Sequence, residues 1–316
     1  MTFPGQSKHF LIGKETTFGT GVSATRDIGI VTEISDDWAR EIRKSPSLSS
    51  REVQSITGGM FDSNCSVTVE FQHGRLLEFV FGSVAHVETT GDWKHTFTIA
   101  NGPPSMSAES ADSLVSDVVK TYAGLKAASA ELNVAINEVL TLSVDFEGQS
   151  VVSSTSAGTS VISSLPVFEH SFCNVTIDGT AASEVQNFTV SIPLSLAKSG
   201  GIGSAQYQQI HSTGIDFEFT GTLGFTSEAY QEIMLGGSGG STSIVNSPTG
   251  HTVILDCHNG VTLGSGRREF YLELGSCVWS GFTESASVNE LVFVDVSGTG
   301  TLTSCFSVDN ISSSEW

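Results

Sequence analysis

Nothing in the sequence approaches the roughly 18 consecutive apolar residues of a helical membrane span, and the opening MTFPGQSKHF has no basic stretch followed by an apolar one. A soluble, unexported chain is expected. Positive charge is scarce too: 14 Lys and Arg stand against 34 Asp and Glu, a formal net charge of −20 over 316 residues. Such a surface repels phosphate, which excludes general nucleic-acid binding through neutralised backbone charge. The five cysteines, Cys65, Cys173, Cys257, Cys277 and Cys305, are odd in number and far apart, with no CxxC pair and no zinc-type histidine spacing. Free buried thiols in a reducing compartment are expected.

Catalytic signatures are also missing. The eight histidines show neither HExxH nor His-x-His spacing, so no metal ligand set emerges. No GxSxG elbow surrounds a serine, and Gly13-Lys14-Glu15-Thr16 fails as a phosphate loop because Lys8 stands where its first glycine belongs. The pairs Asp36-Asp37 and Asp145-Glu147 have the residue types for acid–base work on a glycan. Similar acids recur on almost every predicted strand, however, and solvated strand faces account for them. The sequons at Asn64, Asn174, Asn187 and Asn310 carry no weight where they fall inside predicted strands. No enzyme, cofactor or metal is expected.

What the chain does have is alternation. In NEVLTLSVDFEGQ, from Asn137 to Gln149, Leu140, Leu142, Val144 and Phe146 point one way and Thr141, Ser143, Asp145 and Glu147 the other, the period of a half-buried strand. An altered copy, NELVFVDVSGTGT, runs from Asn289 to Thr301. Other segments recur in the same order. Alternation from Ile30 to Lys44, a polar stretch from Ser45 to Gly59, a strand from Asn64 to Phe71 and a short helix within Gly74 to Gly82 find counterparts later. These are Val185 to Lys198, Ser199 to Gly214, Ile215 to Phe225 and TSEAYQEIMLGG. Phe71 with Gly82 and Phe225 with Gly236 keep one spacing, and His95-Thr96 and Asn101-Gly102 are echoed in His251-Thr252 and Asn259-Gly260. Val118 to Ile136 reads as strands joined by a turn at Gly124, Ser153 to Ser164 as a linker, and Gly236 to Ser247 as a surface loop. The repeat predicts a mainly β chain of two tandem antiparallel β-sandwich domains, each with one short helix: residues 1–160 with an N-terminal arm, and residues 161–316.

This layout, with the arm LIGKETTFGT, the passage YAGLKAASAELNVAINEVLTLSVDFEGQ from Tyr122 and the strand-plus-helix passages ending at Gly82 and Gly236, resembles the major tail tube proteins of long-tailed viruses of bacteria or archaea. The resemblance implies a virion structural protein, assembled in the host cytoplasm, whose rings stack into the tail tube. Six tube domains per ring would come from three copies of a doubled chain, with six copies as the alternative. Acidic strand faces would line the lumen and let double-stranded DNA pass without tight binding, the candidates being Glu33, Asp37, Glu41, Asp145, Glu147, Asp216 and Glu218. Candidates for ring-to-ring contact are Phe18, Arg51, Ile56, Tyr207 and Ile210. The implied partners are further copies of the chain, a tape-measure protein within the lumen, and tail-terminator and distal tail proteins at the ends, with no membrane. A salt-loving host is a second source of acid excess. The competing class is a two-domain β-sandwich binding, surface-layer or adhesin module with ligand sites near Ser47 and Gly237. It expects exposed aromatics at loop tips, where only Tyr207 stands.

Overall fold

Nearly every alternating stretch is a strand, and the strand expected from Asn64 to Phe71 begins much earlier, at Ser50. The computed structural model describes residues 8–89, 91–112, 118–159, 163–182, 184–225, 228–236, 243–263, 266–285 and 291–316. Residues 160–162 of the expected linker, 226–227 beside the second helix, 237–242 of the expected surface loop and 289–290 of the second strand copy lie outside the described residues. The first half comprises β1 (Lys8–Lys14), β2 (Ile30–Ser47), β3 (Ser50–Glu70), α1 (Arg75–Phe81), β4 (Gly82–Thr89), β5 (Asp92–Ile99), β6 (Met106–Asp112), β7 (Val119–Ala135), β8 (Thr141–Gly148) and β9 (Ser150–Ser154). The second comprises β10 (Cys173–Ile177), β11 (Thr180–Ala181), β12 (Asn187–Gly200), β13 (Tyr207–Ile215), β14 (Phe217–Gly224), α2 (Ala229–Met234), β15 (His251–Leu263), β16 (Gly266–Ser285) and β17 (Phe293–Asp309). Among the described residues the fold is mainly β, with the strands connected into one antiparallel sheet and two short α-helices beside it.

The strand order β1-β6-β7-β8-β3-β2 of the first half is matched by β10-β15-β16-β17-β14-β12 in the second. Pairing of β7 with β12 joins the two runs. Where β3 ends, the Phe71 N–H donates to the Leu140 carbonyl at 2.8 Å, and where β14 ends, the Phe225 N–H donates to the Val292 carbonyl at 3.0 Å. Leu140 and Val292 each directly precede the partner strand. After each helix the chain turns at a glycine in the left-handed region, Gly82 at φ 97° and Gly236 at φ 90°, a conformation that only glycine adopts cheaply. The His-Thr echo does not mark matching strands, since β5, with His95, pairs with β4 and β17, whereas β15, with His251, pairs with β10 and β16.

The core follows from the alternation. Leu140, Leu142, Val144 and Phe146 are buried, as are Val294 and Val296 on β17. Phe71, fully buried, lies 5.9 Å from Phe168 and 4.7 Å from Phe270 between ring centroids, so apolar packing is continuous from one half to the other.

Three expectations change. Val118 to Ile136 is not two strands with a turn: β7 runs unbroken through Gly124, whose φ of 69° lets one strand bend from β6 and β9 toward β8. The polar stretches Ser45 to Gly59 and Ser199 to Gly214 are mostly strand, in the β2–β3 and β12–β13 hairpins. A ladder of backbone hydrogen bonds needs no apolar face, so a solvated hairpin leaves no periodic signal. Finally, Cys173 and Cys257 are directly opposite on β10 and β15, with Cα atoms 4.0 Å apart, and form a disulfide rather than free thiols. Cys65, Cys277 and Cys305 are buried and free.

Candidate functional site

Across the run β2-β3-β8-β7-β12-β14-β17-β16, strand register assembles polar side chains into rows on one face, opposite the buried one. One row reads Glu33, Thr68, Ser143, Glu131, Ser191, Glu218 and Thr299. The next passes from Ser66 through Asp145 and Ser129 to Pro193, whose carbonyl accepts from the Asp216 N–H at 3.1 Å. A third contains Asp37, Asn64 and Glu147. Six of the seven acids picked from the sequence thus share a single surface that no one strand could define. Glu41 does not sit in these rows: it is the residue at the register shift between Arg40 and Ile42, with its Oε1 3.6 Å from Arg43 Nε. Sequence reasoning missed Asp62, Glu131 and Asp295 on this face. Glu131 lies in Val118 to Ile136, read as strands broken by a turn, while Asp295 was legible in the alternation of VFVDVS.

Lys198 is the main positive charge against these acids, its Nζ 2.8 Å from Asp62 Oδ1 and 3.1 Å from Glu147 Oε2, and 4.9 Å from the centroid of the Tyr207 ring. The hydrogen bond from Lys198 holds Asp62 below the usual carboxylate range, against the opposing effect of burial. Burial by itself would lower the Lys198 pKa, but the two carboxylates raise it above the ordinary lysine value. Among the described residues no basic group lies within 4.0 Å of Glu33, Asp37, Asp145, Asp216 or Glu218. Asp145 accepts from the Ser129 hydroxyl at 2.6 Å.

The arm and the hairpins carry the candidates for ring-to-ring contact. Buried Glu15 accepts from the Gly19 N–H at 2.9 Å, the Ser105 and Ser107 hydroxyls at 2.7 and 2.8 Å, and the Gly124 N–H at 2.8 Å, fixing the arm to the bend of β7. Phe18 is half-buried there, its ring 3.1 Å from where a side chain on Gly124 would begin. Arg51 and Ile56 are exposed on β3, and Tyr207 is half-buried beside Lys198. Ile210 is 2% exposed, so burial within its own chain removes it from the surface offered to another ring. No pattern along the chain announced Leu48 and Ile202, lone apolar residues at the two hairpin ends, both fully exposed. A Phe61 N–H bond to the Ala205 carbonyl, 2.9 Å, holds the two hairpins side by side.

Titratable clusters lie inside the fold. His73 Nε2–H donates to Asp27 Oδ2 at 3.0 Å, and Arg75 pairs with the same carboxylate. Burial would raise the Asp27 pKa, but His73 and Arg75 overcome it and hold this acid below the usual range. Burial also lowers the His73 pKa, aided by the Arg75 charge and only partly offset by Asp27. A base with a depressed folded pKa is protonated first in the unfolded chain, so its stabilisation is lost as pH falls below the ordinary imidazole value of about 6.5. Asp27 acts lower, its contribution present above about 3.9 and lost as pH falls through its folded value. Stability is therefore expected to fall from pH 7 to 5.5, with His73 contributing up to ~1.4 kcal/mol per pH unit. Urea unfolding of His73→Gln should show a shallower slope; an unchanged slope would remove His73 from this role.

Among the described residues, no group of three or more His, Cys, Asp or Glu is arranged to hold a metal ion, and no helix is long and apolar enough to cross a membrane. The arrangement consists of an extended polar face, two projecting hairpins and open sheet edges. The family profile described as phage tail tube protein matches residues 5–268. No curated protein matches the chain.

Proposed function

We propose that this chain, which belongs to the phage tail tube protein family, forms rings of three copies that stack into the tail tube, with the acidic face of its eight-stranded run turned to the lumen. Membership makes it a structural component of the virion tail that self-assembles into a tube with other tail proteins. The observation that carries the finer reading is the matched strand order. Residues 1–160 and 161–316 are read as two copies of a tube domain, contributing the blocks β2-β3-β8-β7 and β12-β14-β17-β16. Three chains then supply six blocks to one barrel, well beyond the roughly 18 strands at which barrels already enclose an aqueous channel.

On this reading the chain performs no chemistry. The buried face supports the wall, and the polar rows meet what passes through: the tape-measure protein first and double-stranded DNA later. DNA carries one negative charge per roughly 1.7 Å of axis, so acids along the wall oppose adhesion where lysines would promote it. Tail-terminator and distal tail proteins close the two ends, and assembly takes place in the host cytoplasm. Native mass measurement of isolated rings tests the stoichiometry. Three chains are expected; six would overturn the trimer while leaving the family assignment intact.

A further inference from the structure

The eight-stranded run ends in two open edges. Among the described residues β2 pairs along its length with β3 alone, and β16 from Val278 to Ser285 pairs with β17 alone. Each edge presents a row of backbone N–H and C=O groups on its outer side, a template for one more strand. Neighbouring strands alternate in direction and the run has an even number of them. A β16 laid beside the β2 of another copy therefore continues the antiparallel order.

The chain already contains this contact once. In the matched strand orders β12 takes the place of β2, and β16 the place of β7, so the internal β7–β12 junction is the counterpart of a β16–β2 junction between copies. The register transfers residue by residue. Matching Phe71 with Phe225 places Asn64 on Glu218, and their partners across the ladder place Asp37 on Ser191. On the other edge, the register shift between Ala127 and Ser129 in β7 has its counterpart between Trp279 and Gly281 in β16, which places Glu131 on Thr283. Inside the chain Glu131 lies opposite Ser191, and Ala130 opposite Ile192. We infer that β16 of one copy pairs antiparallel with β2 of the next in this same register, Thr283 opposite Asp37 and Phe282 opposite Trp38. The inference rests on the ring reading above and deepens it to individual residue pairs.

Burial supports the assignment independently of the ladder. On the core side of β12, Phe188, Val190, Ile192 and Leu194 are all buried, the first three at the junction with β7. At the open edge of β2 the counterpart of Ile192 is Trp38, which is 41% exposed, and across the joint Phe282 is only half-buried. The transferred register sets these two incompletely covered aromatic side chains against each other, where Ile192 meets Ala130 internally. On the polar side it sets Asp37 against a threonine, and on the other side it sets Glu284 opposite Asp36, whose charge is already offset by the Lys120 ammonium.

Paired cysteines test the register. In assembled rings, Asp37→Cys with Thr283→Cys should cross-link under mild oxidation at least tenfold faster than Glu33→Cys with Thr283→Cys, giving covalent dimers and closed trimers on denaturing gels. Each single variant reports the background from the native cysteines. Ser35→Cys with Ser285→Cys, one row along, should behave like the first pair and replaces it if that variant does not fold. Rings in which the off-register pair links as fast, or neither in-register pair links, overturn the register but not the ring. A wild-type chain that stays monomeric by mass at every concentration overturns the ring reading and this contact with it.

Discussion

Tubes built from the Asp145→Lys, Glu218→Lys variant are expected to assemble normally and to release DNA slowly at low salt, with release restored as salt rises. Both carboxylates are exposed on the polar face, and neither has a basic partner within 4.0 Å among the described residues. Their replacement therefore leaves the fold's ion pairs in place. Glu147 is the wrong choice despite its clear sequence signal, because its carboxylate holds Lys198, and a lysine there would set two ammonium groups together. The effect should be large because it repeats in every copy of the chain along the tube. About six to ten phosphate contacts shift affinity by some 10³–10⁵ between 50 and 200 mM salt, and screening shortens to about 8 Å at physiological ionic strength. Ejection kinetics measured across a salt series decide the matter. Normal release at low salt would remove these residues from the lumen, and soluble variant protein that fails to form tubes would place them at a contact between chains instead.

Replacing Leu48 and Ile202 with aspartate should abolish tubes while leaving folded chains and single rings. Both side chains are fully exposed at hairpin ends, so the substitutions should change the stability of the isolated chain by no more than about 0.5 kcal/mol. Burying a side chain of this kind against a neighbour contributes about 1.5–3 kcal/mol. Two per chain, multiplied over a ring, make stacking depend on them, and buried carboxylates would oppose it further. The concentration needed for polymerisation is expected to rise at least a hundredfold, as read by light scattering and microscopy. Deleting Ser45 to Gly59 is the poorer test, because it removes paired strand from β2 and β3 rather than a loop. Normal tubes from the double variant would show that ring stacking does not use the hairpin ends.

These two tests draw on different kinds of information. The acids of the first were legible in the sequence: Asp145 alternates with Leu142, Val144 and Phe146, and Glu218 with Phe217 and Phe219, and such alternation reports which side of a strand faces water. The apolar residues of the second were not, since a lone leucine or isoleucine in a polar stretch has no period. Lys198 illustrates the same limit. Its place at the end of a strand was readable, but its two partners come from β3 and β8, far away in the chain.

By itself the sequence determined a mainly β chain, the buried and wet sides of its clearest strands, the two short helices with their glycine stops, and the recurrence of segments in one order. All of these are local properties, fixed by side-chain period and backbone freedom over a few residues. Only the tertiary structure decided that β7 joins β12, that the polar stretches are hairpins, that Cys173 faces Cys257, that Ile210 is buried, and that six scattered acids share one surface. Each of those depends on which strand lies beside which and in what register. Backbone hydrogen bonds between distant segments set that register, and a polar ladder forms without any apolar signature along the chain.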